Sequence, residues 1–258
     1  MTLKARLAAG ETLYTAWSGV PDALTVEIVA RQGFDAITLD MQHGGHTEDS
    51  VLRSVPVLQA AGKPVLVRIP VGRFDMASRA LDFGAEAVIA PMVNSVADAQ
   101  AFAAATKYPP LGGRSWGPTF AFPRHGRGDQ AEWLHETNHR TLAFAMIETR
   151  AALDALDDIL AVPGIDGIFV GPSDLSIAWT NGGTVDSMLE AMMETVGTIA
   201  ARAKAAEKYT AIYIVNPAIA GRMAKMGYGL LAMGAEHTLI EIGARTLLAD
   251  VRKSVNGK

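Results

Sequence analysis

The sequence predicts an α/β fold, a (β/α)₈ barrel, and three observations carry that expectation. Eight short apolar runs alternate with longer amphipathic segments along 258 residues. The runs are rich in Val, Ile and Leu and nearly continuous, as strands buried on both faces of a parallel sheet must be. No Gly-rich phosphate turn follows the first run, where an open doubly wound sheet would carry one. Trp17-Ser18-Gly19-Val20-Pro21 stands there instead. The length suits a single barrel domain over residues 1–258.

The elements follow in order. Leu13 to Ser18 reads as the first strand, and Asp22 to Arg31 as its helix, with apolar positions at Leu24, Ile28 and Val29 before Gly33. Phe34 to Asp40 is the second strand and Glu48 to Ala61 its helix. Pro64 to Ile69 is the third, followed by a helix around Met76 to Phe83. Ala87 to Pro91 is the fourth, and Val96 to Thr106 its helix. Thr141 to Ile147, Gly167 to Val170, Ala211 to Val215 and Gly229 to Met233 complete the eight, and a last helix runs from Leu239 to Val255. One segment breaks the rhythm: Tyr108 to Arg140, with Pro109, Pro110, Gly112, Gly113, Gly117, Pro118, Pro123, Gly126 and Gly128. Loops this long are usually functional, so it is expected near the barrel mouth or at a subunit contact.

Composition narrows the function. The net charge is −4, so there is no basic excess to attract nucleic acid or an anionic membrane, and a small-molecule partner is expected. There is no cysteine, which excludes a disulfide scaffold, a Cys-ligated zinc and a thiol nucleophile. A cytoplasmic address fits. No uninterrupted apolar stretch of about 18 residues occurs, and the charges of the first six residues have no long apolar run behind them.

In a barrel of this kind the active site lies at the C-terminal ends of the strands. Charged residues stand there four times. The second strand ends Asp40-Met41-Gln42-His43-Gly44, the third Val67-Arg68, the fifth Ile147-Glu148, and the sixth Gly171-Pro172-Ser173-Asp174. Glu148 and Asp174 end successive strands and can be neighbours. Two carboxylates facing one point repel unless a proton or cation lies between them. Oxygen ligands favour a hard ion such as Mg²⁺ or Mn²⁺; the alternative is a salt bridge from Glu148 to Arg150 or Arg68. His43, followed by Gly44-Gly45, can serve as a general base or as a hydrogen-bonded turn residue. His46, His125, His135, His139 and His237 read as surface or supporting residues. Arg68 needs an anionic partner: a substrate enolate or carboxylate, Asp40, or Asp82. The amides of Gly171 to Asp174 can cradle a carboxylate or phosphate, or form an ordinary strand-to-helix turn.

Together, Leu39-Asp40-Met41-Gln42-His43-Gly44, Val67-Arg68, Ala90-Pro91-Met92-Val93, Tyr108-Pro109-Pro110 with Gly113-Arg114, Ile147-Glu148-Thr149 and Gly171-Pro172-Ser173-Asp174-Leu175-Ser176 resemble the class II pyruvate aldolases. That family, typified by 4-hydroxy-2-oxoheptanedioate aldolase, lies in the phosphoenolpyruvate/pyruvate barrel superfamily. The likeness runs from about Thr12 to Asp250. It implies a divalent cation (Mg²⁺ or Mn²⁺, with Co²⁺ a further candidate) on Glu148 and Asp174, stabilising an enolate of pyruvate or hydroxypyruvate that adds to an aldehyde. It implies that Arg68 steadies the keto oxygen, that His43 moves the proton, and that Asp82 orients that histidine from a neighbouring subunit. The amides of Ser173 and Asp174, after Gly171, would take the substrate carboxylate, with Asp40 and Gln42 supporting. It also implies a homo-oligomer, trimer or hexamer, with the last helix packed on a neighbour.

Two positions depart from the family pattern. Gln42 stands where a glutamate is usual, which removes a negative charge near the metal and the base. Met146 replaces a glutamine found in some members. Trp116 and Phe120 are suited to shaping an acceptor pocket or to subunit packing. The leading expectation is reversible aldol chemistry. Oxaloacetate decarboxylation, cyclisation of a pyruvate-derived enolate and citrate lyase β-like cleavage would use the same site. Cleavage of a CoA thioester lacks a basic strip for the CoA phosphates. A binding-only barrel leaves His43, Arg68, Glu148 and Asp174 without a purpose.

Overall fold

The computed structural model describes residues 1–125 and 129–256. Eight parallel strands close in sequence order: β1 Leu13–Ser18, β2 Ala36–Asp40, β3 Val65–Arg68, β4 Ala87–Ala90, β5 Leu142–Ile147, β6 Gly167–Val170, β7 Tyr209–Tyr213 and β8 Leu230–Met233. β8 pairs back on β1, with Leu13 opposite Leu230 and Ala16 opposite Met233. The continuous apolar runs are explained by burial on both faces. Leu142, Phe144 and Met146 of β5 join Leu13, Leu66, Phe169 and Leu230 in the cluster that fills the barrel. Ala143, Ala145 and Ile147 face the outer shell instead.

That shell is α2 Ala23–Ala30, α3 Glu48–Ala60, α4 Phe74–Phe83, α5 Val96–Thr106, α8 Arg150–Asp154, α9 Leu156–Ala161, α10 Pro172–Trp179, α11 Glu190–Ala205 and α12 Ala220–Met226. Side-chain caps start many of these helices: Asp22 for α2, Thr47 for α3, Ser95 for α5 and Thr149 for α8. Each cap is worth about 1 kcal/mol. Among the described residues, no helix is long and apolar enough to cross a membrane.

The barrel matches the expected one, with differences that have physical reasons. Helix α1, Leu3–Ala8, was not foreseen; Thr2 caps it, and its short amphipathic stretch buries Leu3 and Leu7 against the barrel interior. β7 begins two residues before its apolar run, because Tyr209 pairs with Gly167, and Val215 is left exposed past its end. Helix α2 buries Val26, Val29 and Ala30, not Leu24 and Ile28. It is apolar nearly all round, so its pattern names no single inner face.

The segment from Tyr108 to Arg140 contains two helices, α6 Ala121–His125 and α7 Gln130–Arg140. Its ends are tied together: the Tyr108 amide donates to Asn138 Oδ1 at 2.8 Å, and Asn138 Nδ2 donates to the Tyr108 carbonyl at 2.9 Å. None of its described residues lines the central cavity, so the expected place at the mouth does not hold for them. Gly126, Gly128 and the His125 side chain lie outside the described residues. The last helix, α13 Glu236–Asn256, begins buried at Glu236 and then leaves the barrel, with Ile240, Leu247 and Val255 66%, 66% and 78% exposed.

Candidate active site

A cavity of about 500 Å³ opens where the strands end, and residues carried by β1, β2, β3, β5, β6, β7 and β8 or the turns after them line it. Of the nine candidate site residues, six reach it: Asp40, His43, Arg68, Gly171, Ser173 and Asp174. Glu148 lies just behind its wall, 2% exposed. Gln42 and Asp82 do not line it.

Arg68 is gripped on three sides. Its Nε donates to Asp40 Oδ1 at 2.8 Å and its Nη2 to Oδ2 at 2.6 Å. The guanidinium lies 4.8 Å from the ring centre of Trp17, whose Nε1 donates to the same Oδ2 at 3.2 Å. The amides of Gln42 and His43 donate to Oδ1. Burial raises the Asp40 carboxyl pKa, but the Arg68 guanidinium and these donors outweigh it and hold it below the usual carboxylate range. A fork fixed by two parallel bonds has lost its rotamer freedom before substrate arrives. Its remaining N–H groups are the only permanent cationic donors on the cavity wall among the described residues.

Glu148 and Asp174 have no such partner. The salt bridges considered for Glu148 are absent: Arg68 is taken by Asp40, and Arg150 donates to the carbonyls of Ala178 and Trp179 at 3.0 and 2.6 Å. Among the described residues, neither carboxylate joins an ion pair. Glu148 Oε1 accepts the Met92 amide at 2.7 Å. Oε2 lies against Gly171, where a Cβ would stand only 2.4 Å away and would displace the carboxylate from this position. Burial is the largest influence on Glu148 and the Met92 amide opposes it. Asp174 adds to the burial and Arg68 opposes again; the carboxyl is pushed up to about 7. A buried carboxylate made costly by its neighbour, with oxygen donors only, is the setting a hard divalent cation relieves. The pair therefore fits such an ion. No group of three or more acidic or histidine residues able to hold a metal occurs among the described residues, which leaves these two carboxylates as the candidate donors.

Next to Glu148 and Asp174, α10 begins at Pro172 with Gly171 before it. The Leu175 amide bonds back to the Gly171 carbonyl. The amides of Ser173 and Asp174 fall in the first turn, where a helix has no internal partners for them, and they can receive an anion.

The His43 side is looser. His43 is exposed at the rim, and among the described residues its one hydrogen bond is made by its own amide. The Gln42 side-chain oxygen is buried with no hydrogen-bond partner among the described residues. Asp82 is not brought to His43 within this chain. It sits near the end of α4 and pairs with Arg114, and burial nonetheless raises its carboxyl pKa against that cation. Trp116 packs on Tyr108 and Phe120 on Phe83; neither lines the cavity.

Four lining residues have no role in the sequence reading, Trp17, Phe169, Tyr213 and Glu236, and His237, taken for a surface or supporting residue, also lines the cavity. Trp17 and Tyr213 were findable, since Trp17 is next to last in β1 and Tyr213 ends β7, as Asp40 and Arg68 end their strands. Glu236 and His237 follow β8, where no motif drew attention. His46, taken for a surface or supporting residue, is buried and bonded to Ser18 and Ser50.

Comparison with known proteins agrees with this geometry. The sequence pattern described as HpcH/HpaI aldolase/citrate lyase matches residues 14–241. A hydroxypyruvate/pyruvate aldolase of Roseovarius nubinhibens is 33% identical, over 97% of this chain and 96% of its own. A 4-hydroxy-2-oxo-heptane-1,7-dioate aldolase of Salmonella arizonae is 32% identical, over 95% of this chain and 92% of its own. Among solved structures, an HpcH/HpaI aldolase from Desulfitobacterium hafniense superposes with a TM-score of 0.88 at 27% identity, over 98% of this chain and 97% of that one.

Proposed function

The chain belongs to the HpcH/HpaI aldolase/citrate lyase family and is a carbon–carbon lyase, and from that premise we propose that it makes or cleaves 4-hydroxy-2-oxoacids. The donor is pyruvate or hydroxypyruvate as its enolate, and the acceptor is an aldehyde. The observation that carries this is the placement of two carboxylates that join no ion pair among the described residues, Glu148 and Asp174, close to an Arg68 already locked by Asp40 and Trp17.

Glu148 and Asp174 would hold Mg²⁺ or Mn²⁺, with Co²⁺ a further candidate, and that ion would supply Lewis-acid withdrawal of charge from the 2-oxoacid. The amides of Ser173 and Asp174 take the donor carboxylate at the start of α10. Arg68 donates its free N–H groups to the donor's C2 oxygen, where negative charge grows as the C3 proton leaves. Asp40 keeps that fork aimed and Trp17 covers its face. His43 moves the proton at the rim: through water it takes the proton that leaves C3, and it gives a proton to the acceptor oxygen as the carbon–carbon bond forms, with the reverse on cleavage. The apolar faces of Met146 and Phe169 exclude water from the inner end of the cavity. Gln42 leaves the His43 turn without the charge a glutamate would bring.

We further propose a trimer or hexamer. The apolar residues of α13 need covering, and Asp82, remote from His43 in its own chain, would reach the His43 of a neighbour. The experiment on function is direct. Purified protein with Mn²⁺ or Mg²⁺, hydroxypyruvate or pyruvate, and a small aldehyde should yield the 4-hydroxy-2-oxoacid by mass spectrometry. No adduct with either donor across a panel of aldehydes would overturn the aldolase assignment, and loss of carbon dioxide from oxaloacetate alone would replace it.

A further inference from the structure

Beside the cavity runs a buried chain of polar groups that none of the chemistry above uses. Ser18 ends β1, His46 and Ser50 flank the start of α3, and Glu236 opens α13; none is more than 7% exposed. Ser50 Oγ lies 3.0 Å from His46 Nδ1, and His46 Nε2 lies 2.9 Å from Ser18 Oγ. Ser18 Oγ donates to Glu236 Oε1, and the Gly19 amide donates to Oε2 at 2.8 Å.

Counting protons fixes the direction of this chain. A carboxylate only accepts, and a hydroxyl has one proton to give. Ser18 gives its proton to Glu236, so it must receive one from His46 Nε2. A neutral ring then accepts at Nδ1 from the Ser50 hydroxyl. Ser50 Oγ in turn takes the Thr47 amide proton at 2.8 Å. The Thr47 carbonyl, at 3.0 Å from Ser50 Oγ and receiving the Val51 amide at 2.9 Å, has a second lone pair and is the alternative acceptor; it is the neutral ring's need for a donor at Nδ1 that turns the Ser50 hydroxyl toward His46. All the donors therefore point one way, from Thr47 through Ser50, His46 and Ser18 to Glu236. Burial, the largest influence on His46, pushes its pKa down against the pull of Glu236 and Asp40, which suits a neutral ring.

The chain ends on the turn that carries His43. The Gly45 amide donates to the Gly19 carbonyl at 2.7 Å. A Cβ on Gly44 would stand 2.8 Å from Gly19 Cα and 2.5 Å from the Asp40 carbonyl, so the two turns touch backbone to backbone. Gly19 is held by Glu236, and His46 lies three residues past His43 in the same turn. Asp40 anchors the near end of the turn, and the Glu236 chain anchors the far end.

We propose that Glu236, acting through Ser18, Gly19 and His46, is the positioning residue for the His43 turn, and so ties α13 to the proton-transferring end of the site. This rests on the proton role given to His43 above. The relay foretells its own reversal. In Glu236→Gln the amide oxygen takes the Gly19 N–H and the amide nitrogen donates to Ser18. Ser18 then donates to His46 Nε2, and the ring proton moves to Nδ1, facing Ser50, which turns to the Thr47 carbonyl.

The test is ¹⁵N NMR of the histidine rings, with His46→Gln assigning the signal. The ring proton of His46 should sit on Nε2 in the unaltered protein and on Nδ1 in Glu236→Gln. In Glu236→Ala, kcat for metal-dependent deuterium exchange into pyruvate should fall about tenfold or more, as misplaced groups do, with KM for pyruvate within about twofold. A ring proton on Nδ1 from the start, or one that stays on Nε2 in folded Glu236→Gln, overturns the relay. An unchanged kcat in folded Glu236→Ala overturns the positioning role. The Gln variant keeps the shape of the side chain and decides the relay even where the Ala variant does not fold. If the unaltered protein exchanges neither pyruvate nor hydroxypyruvate, the aldolase assignment fails, while the tautomer result still decides the relay by itself.

Discussion

Arg68 and His43 face the same cavity from opposite degrees of completion. Arg68 is buried, doubly bonded to Asp40 and covered by Trp17. His43 is exposed, and its ring makes no hydrogen bond among the described residues. The carboxylate expected to orient that ring pairs with Arg114 at the far end of α4. The contrast separates two kinds of construction. The donor end is made from residues at strand ends, which the barrel holds rigidly and which need nothing from outside the chain. The proton-transfer end is made from a turn, held by backbone contacts to Gly19, beside a helix α13 whose apolar side is bare. Substitutions at the first end should therefore act within one subunit, and those at the second through the assembly.

The largest effect should come from the carboxylate pair. Glu148→Ala or Asp174→Ala should lower turnover by at least about 10³-fold and abolish Mn²⁺ binding by calorimetry in folded protein, since several kcal/mol of charge stabilisation is lost. Arg68→Lys should cost about 10²-fold in kcat, because a point charge cannot keep both bonds to Asp40 and still face the substrate; steady-state kinetics would check it. Gly171→Ala should weaken Mn²⁺ binding by about 10- to 100-fold, as its Cβ would displace Glu148 Oε2. If the rim depends on a neighbour, Asp82→Asn should reduce kcat by about tenfold while leaving Mn²⁺ affinity unchanged. Ile240→Asp with Leu247→Asp should give a smaller species in sedimentation and a similar loss of kcat. Full activity from a dispersed monomer would erase the contrast between the two ends.

The smallest effect is one of pH. Glu148 in metal-free protein titrates at about 7, against 4.5 for an unperturbed glutamate. The folded state thus binds this proton more tightly than the unfolded chain. The stability it contributes is complete below 4.5 and is lost as pH rises through about 7. Melting of chelator-treated protein should show this loss, Mn²⁺ should reverse it, and Glu148→Gln should flatten it.

The donor end was legible in the sequence and the rim was not, for the same structural reason. A strand of four to six residues with both faces buried leaves a sharp break where a charge appears, so Asp40, Arg68 and Glu148 stand out against their apolar runs. Asp174 stood out through its turn. Trp17 belongs with them but is apolar enough to pass as part of its strand. Besides a substrate anion, the partners expected for Arg68 within the chain were Asp40 and Asp82, and only packing could choose between those two. Glu236, Ser18 and His46 come from three distant turns, and no spacing along the chain joins them. Helix α2 hid its buried face because Leu24 and Ile28 are as apolar as Val26 and Val29. The helices within Tyr108 to Arg140 were masked by the prolines and glycines around them.

The central claim is that Glu148 and Asp174, with Arg68 beside them, make an enolate of a 2-oxoacid with a divalent cation. Proton NMR of the pyruvate methyl group in D₂O tests it most directly, using chelator-stripped protein with and without Mn²⁺ and the Glu148→Ala variant alongside. The account predicts deuterium uptake by the unaltered protein only when the ion is present, and none by folded Glu148→Ala. Uptake that is independent of the ion, or undiminished in Glu148→Ala, would contradict it.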